Sequence, residues 1–140
     1  GEFSTVDTKT AVSQFAGATN DPTGYNVFVL GTSMTSGNNV IASSPIAQPS
    51  TKGTSQFGIN LRSNTTPAVG SNPTGAGTCA PVANYANTNQ YAFQPGDLIA
   101  SSAFSTDYNT LTVSYIVNVG AAQASGVYST TMTYLAVAAF

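Results

Sequence analysis

Between Leu111 and Val119 the apolar residues fall on alternate positions, with Leu111, Val113, Tyr115, Val117 and Val119 on one face and Thr112, Ser114 and Asn118 on the other. A period of two marks a half-buried β-strand, so Thr110 to Val119 is read as one, with Ile116 its single irregularity. After a short link, Gly120 to Gly126, the stretch Val127 to Phe140 is β-branched and aromatic throughout and carries no charge. Such a strand is expected to have a neighbour on each edge and a core on at least one face, with the remaining fold built to cover it.

The other predicted elements are shorter. Phe3 to Ala18 is marked only by Val6, Val12 and Phe15 among Thr, Ser and Gln, and reads as a strand or as an arm that pairs with another copy. Asn20-Asp21-Pro22-Thr23-Gly24 is a turn, because Asn and Asp bond their own backbone, Pro fixes φ and Gly accepts a positive one. Tyr25 to Leu30 is a strand buried on both faces. Met34 to Asn39 forms a turn before a short strand at Val40 to Ala42. Gln56 to Arg62 alternates, with Phe57, Ile59 and Leu61 inward and Gly58, Asn60 and Arg62 outward. Ser63 to Asn84, rich in Asn, Thr, Pro and Gly, reads as a long surface loop, and Leu98 to Ala100 as a short strand. Asp107 to Asn109 is read as a turn. The sum is about eight short strands without a helix, which predicts one all-β domain, a Greek-key antiparallel β-sandwich. Its expected division is a strand or donor arm at 1–18 and the sandwich at 19–140 with the loop at 63–84.

Charge narrows the function. Lys9, Lys52 and Arg62 stand against Glu2, Asp7, Asp21, Asp97 and Asp107, so 6% of the 140 residues are charged. Nucleic-acid binding needs clustered Lys and Arg and is set aside. No run has the length of a transmembrane helix, so membrane insertion is not expected either. Ser, Thr, Asn and Gln supply the polar surface, a composition that suggests a secreted, extracellular, cell-surface protein. With no signal-peptide pattern, a processed or trimmed form is expected.

Candidate chemistry is sparse. Histidine is absent, which removes the usual Ser-His-Asp, Cys-His and zinc arrangements, and no enzyme is expected. Asp21, Asp97 and Asp107 lie in separate predicted turns; no cofactor is expected, calcium bound by two of them with loop carbonyls being the weaker alternative. Cys79, the single cysteine, is placed in the long loop as an accessible residue. Asn64-Thr65-Thr66 has the form of a glycosylation acceptor, making Asn64 the candidate site. Gly126-Val127-Tyr128 before an alternating strand predicts a tyrosine corner, the Tyr128 hydroxyl returning to backbone a few residues upstream. Tyr25, Tyr85, Tyr91, Phe93, Phe104 and Tyr108 are read chiefly as core and edge packing, with a sugar-stacking platform as the alternative.

Gly126 to Phe140 resembles the ending of chaperone-usher pilins and spore coat protein U-like subunits, in which a glycine precedes an alternating strand that finishes in an aromatic residue. Its Gly-Val-Tyr-Ser-Thr-Thr is also similar to the C-terminal part of WxL surface domains. The chain lacks paired cysteines and any Trp-x-Leu motif. Asn20 to Tyr25, Phe57 to Leu61 and Val113 to Asn118 look similar to uncharacterised secreted proteins of small uncultured bacteria. The pilin resemblance implies donor-strand exchange, one subunit's N-terminal arm completing the next subunit's sandwich. The expectation is therefore a fimbrial, self-assembling subunit of an extracellular filament or surface layer, with other copies of itself as partners. Val6, Val12 and Phe15 would form the donor arm, and Tyr128, Met132, Tyr134, Val137 and Phe140 the receiving core. The alternative is a monomeric adhesive domain that binds carbohydrate or a host surface through the long loop.

Overall fold

The computed structural model describes residues 2–139. Twelve strands run in chain order: β1 (Lys9–Thr19), β2 (Tyr25–Gly31), β3 (Thr35–Ser36), β4 (Asn39–Val40), β5 (Gln56–Asn60), β6 (Asn64–Thr65), β7 (Ala68–Val69), β8 (Thr74–Gly75), β9 (Ala80–Pro81), β10 (Leu98–Ser102), β11 (Thr106–Asn118) and β12 (Met132–Ala138). A single 3₁₀ turn, Ala83–Tyr85, interrupts them. One antiparallel sheet has the order β1-β11-β5, with β8 also paired to β11; the other has the order β12-β2-β10-β9. The fold is all-β, as the alternation predicts. Its strands are fewer in length and more in number than expected, because half of them span two residues.

The core lies between the two sheets. Leu111, Val113 and Val117 of β11 meet Val27 and Val29 of β2, Phe57 and Ile59 of β5 and Ile99 of β10. Burying a side chain of this size contributes roughly 1.5–3 kcal/mol, so this cluster is the main source of stability. Phe57 and Phe93 meet edge to face at 5.3 Å within it. Tyr25, Tyr85, Tyr91 and Phe93 are core residues too, whereas Phe104 and Tyr108 are exposed.

The organising strand is β11 rather than the C-terminal one. β12 pairs only with β2, is the outermost strand of its sheet, and leaves Leu135 and Val137 open to solvent; Val127 is 89% exposed. An uncharged β-branched composition suits an edge as well as a centre, so composition alone did not separate them. β11 begins at Thr106, so Asp107 to Asn109 is strand and not turn: Asn109 faces Gly17 of β1 on one edge and Gly75 of β8 on the other.

β11 is buried on both faces. Thr112, Ser114, Ile116 and Asn118, the face that reads as solvent-directed, are all buried. The stretch 63–84 accounts for much of this cover. Its β6–β7 hairpin lies over β11, Gly70 approaching so closely that a Cβ there would fall 1.9 Å from the Ser114 Oγ. β8 and β9 of the same stretch join the two main sheets. The stretch is thus tied down by short strands while most of it stays at the surface, with Asn64, Cys79 and Pro81 buried. Cys79 within it is buried, 2% exposed, which corrects its placement as an accessible thiol.

Asn64 is likewise corrected. It is 5% exposed, and its Nδ2, the atom a glycan would occupy, donates to Asn60 Oδ1 (2.9 Å), Arg62 O (2.7 Å), Val69 O (3.0 Å) and Ser114 Oγ (3.3 Å). Asn60 Nδ2 returns a bond to Asn64 Oδ1 at 2.7 Å and also reaches the Asn87 and Gln90 carbonyls. These amides stand in for the backbone partners that the irregular hairpin lacks. Asn64→Ala is expected to unpair several buried groups together and to lower stability by about 2–3 kcal/mol. Urea unfolding should show this as a lower midpoint with an unchanged slope.

Candidate assembly interface

β1 and β12 are the outermost strands of the two sheets and lie together on one flank of the sandwich. The Phe15 ring of β1 stacks on Tyr134 of β12 with centroids 5.6 Å apart and planes at 26°. Neither outer edge is paired among the described residues. Exposed edges are normally guarded by charge, proline or a bulge. β1 carries one charged residue, Lys9, at its first position, and β12 none; neither contains proline. The one irregularity of β1 lies between Gly17 and Thr19.

β1 pairs with β11 from Lys9↔Val117 to Thr19↔Thr106. Its even positions, Thr10, Val12, Gln14, Ala16 and Ala18, face solvent, and Ser13, Phe15 and Gly17 turn inward. Val12 is 56% exposed, and Val6 lies in the Ser4–Asp7 turn ahead of the strand at 76%. Of the three arm residues expected to insert, Phe15 alone reaches the core. Phe15 is thus the one large apolar side chain that holds the strand, worth at most about 3 kcal/mol; the rest is ladder hydrogen bonding and the side-chain bonds of Ser13 and Gln14.

Around Phe15 the polar contacts are specific. Ser13 Oγ is 2.7 Å from the Tyr115 hydroxyl, which in turn meets the Tyr134 hydroxyl, so a row of three hydroxyls links β1, β11 and β12. Burial, with Tyr115 beside it, pushes the Tyr134 phenol well above its ordinary range. At Gly17 an added Cβ would lie 2.6 Å from the Tyr25 hydroxyl. Met132 is partly buried beside the core and Val137 faces out; Phe140 lies outside the described residues.

At the end of this flank, Tyr128 donates to the Ala124 carbonyl at 2.7 Å and receives a bond from Gln123 Nε2 at 2.7 Å. This is the corner expected from Gly126-Val127-Tyr128. Phe3 packs edge to face on Tyr128 at 6.3 Å, beside an open cleft of about 1110 Å³ between the N-terminal turn and the 119–128 link. The acidic residues stay apart in function: Asp21 Oδ1 accepts from Thr23 N and Oγ1, and Asp97 accepts from the Tyr85 hydroxyl at 2.6 Å. Among the described residues no group of three or more His, Cys, Asp or Glu could hold a metal ion, and no helix is long and apolar enough to cross a membrane. Lys9 is paired with Asp7 at 2.9 Å on the surface, and this bond holds the Asp7 carboxyl below its usual range.

Burial raises the phenols of Tyr25, Tyr85 and Tyr134, and pushes Tyr91 up to about 12. The unfolded chain releases these protons near pH 10 while the fold retains them, so the native state holds more protons above that pH. The contribution of these phenols to stability should be constant below about pH 10 and be lost as pH rises from there through 12 and beyond, measured by thermal melts across that range; Tyr134→Phe should flatten the fall. In comparisons with known proteins, no family model, curated protein or solved structure matches this chain.

Proposed function

We propose that this chain is a structural subunit of an extracellular filament or surface layer, joined copy to copy by exchange of the β1 strand. The observation that carries the reading is the open edge of β1, guarded only at its two ends by Lys9 and the Gly17/Thr19 irregularity, beside the uncharged, proline-free edge of β12. In the fold described, β1 pairs with its own β11, so the arm is donated by leaving that place and entering the equivalent place on the next copy. Each contact of the monomer is then remade between copies, at little net cost.

The link between β1 and β2 is Asn20 to Gly24, and a short hinge under constraint favours such exchange. Gly24 has φ +79°, and a Cβ there would meet the Ser102 carbonyl at 1.9 Å, so the link is tightly seated while β1 is at home. If exchange between copies does not close a ring, it generates a filament. A formal net charge of −2 leaves little repulsion between copies. Composition supports the extracellular setting, since Ser, Thr and Asn replace charge throughout.

A second reading, a monomeric adhesive domain for carbohydrate, rests on Phe104 in the β10–β11 turn and Tyr108 near the start of β11, which are 72% and 71% exposed. Aromatic faces there are open for stacking on a sugar.

A reversible lock separates the two. Ala16 and Thr110 face each other across β1 and β11, and Cys79→Ser in the same chain removes the native buried thiol from the exchange. The double variant Ala16→Cys, Thr110→Cys, once oxidised, should hold β1 at home and remain monomeric in electron micrographs and light scattering. On reduction, filaments should form as they do for the native chain. Filaments in both states would contradict strand exchange, and compact single particles in both, with the native chain also monomeric, would contradict the fibre and leave the sugar-binding reading.

A further inference from the structure

We propose that the flank of β11 is a reading seat for a strand with Ser, Phe and Gly at alternate positions, and that its second occupant is residues 9–19 of another copy. This rests on the exchange reading above and adds what the site recognises. Three tyrosines do the reading. Tyr115 and Tyr134 offer the hydroxyl pair that takes Ser13 Oγ at 2.7 Å, the Tyr134 ring takes the face of Phe15, and Tyr25 fills the space where any residue other than glycine at 17 would put its Cβ.

The three contacts differ in kind, and together they fix register. A shift of the incoming strand by two residues keeps the same face inward. Shifted in that way, Phe15 would be driven against Tyr25 or against the Tyr115 hydroxyl. Ser13 or Gly17 would then come under the Tyr134 ring, leaving its face without a stacking partner. A shift by one turns Val12, Gln14 and Ala16 inward and leaves the hydroxyl row without Ser13. The outward face of β1 is the opposite case. Thr10, Val12, Ala16 and Ala18 are exposed there and Gln14 alone makes a specific contact, donating to Thr112 Oγ1 at 3.0 Å, so the seat discriminates chiefly on the inner face. No charged side chain of the arm enters it, and recognition is by shape and hydrogen bonding.

The occupant follows from the same contacts. The seat is filled in the monomer by the chain's own Lys9–Thr19, so the identical segment from a second copy satisfies every contact without rearrangement of β11, β12 or β2. The exchange changes only which chain supplies the strand.

The test uses the full chain and a fluorescent peptide of residues 9–19, Lys-Thr-Ala-Val-Ser-Gln-Phe-Ala-Gly-Ala-Thr, with uptake read by anisotropy. The full-length Phe15→Ala variant, whose own arm is weakly anchored, should take up the native peptide at least tenfold more readily than the native chain does. If Phe15→Ala fails to fold, full-length Gly17→Ala serves in its place. Peptides carrying Phe15→Ala or Gly17→Val should bind at least tenfold more weakly than the native peptide, and Ser13→Val severalfold more weakly. Equal uptake of all the peptides would overturn the side-chain reading, and no uptake of the native peptide by the folded variant would overturn the seat as a site for a second strand. Selective uptake by a chain that forms no filaments would support the seat and count against the fibre alone.

Discussion

Everything in this fold follows from β11 being buried on both faces. A strand with Leu111, Val113 and Val117 on one side requires an opposing sheet, which β2 and β10 provide. Its other side, Thr112, Ser114, Ile116 and Asn118, is polar but for one residue, and burial of that side leaves each polar group in need of a partner. The chain meets that need with side chains from neighbouring strands and from irregular segments. Thr112 Oγ1 is bonded by Gln14 and Ser71, Ser114 by Asn64, and Asn118 by Thr8, Ser50 and Gln56. The Asn- and Ser-rich stretches are a second cover built from hydrogen bonds, where the opposing sheet is a cover built from apolar contact.

The two covers differ in cooperativity. Apolar packing between sheets tolerates small shifts, whereas a hydrogen-bonded cover fails when one member is lost, because its neighbours are left buried and unpaired. Against both, β1 is lightly engaged: its ladder to β11 is long, yet its inner face offers one large side chain. Local opening draws on the elements with least buried apolar contact. On this basis β1 is the part of the sandwich most free to leave, while β11, β5 and β2 stay folded.

The sequence was legible where burial and polarity agreed. The period of two located β11 and β5 and the inward set Phe57, Ile59 and Leu61, although Gly58 and Asn60, which read as outward, are buried as well; Gly-Val-Tyr located the Tyr128 corner. It was misleading where they did not. Thr112, Ser114 and Asn118 read as solvent-facing because their partners come from segments distant in the chain, and Ile116 was the only local sign that this face is covered. Asn64 and Cys79 sit among Pro, Gly and Thr, which read as loop, although both are buried: Asn64 is bonded to Asn60 and Ser114, and the Cys79 carbonyl accepts from Asn109 of β11. The C-terminal strand and a central strand share the same residue types, so only pairing could show that β12 is an edge. In the arm, Val6, Val12 and Phe15 read alike; only Phe15 packs against the core, because the register that turns Val12 outward is set by β11 and not by β1 itself.

The most direct measurement is native-state hydrogen exchange, residue by residue, on the unmodified chain. Amides of β1 paired to β11 are expected to exchange through a low-energy opening, while those of β11 with β5 and of β2 with β10 exchange only with global unfolding. Protection of β1 equal to that of β2 and β11 would show that the strand opens only with the whole fold, and would contradict the claim that it is the detachable part.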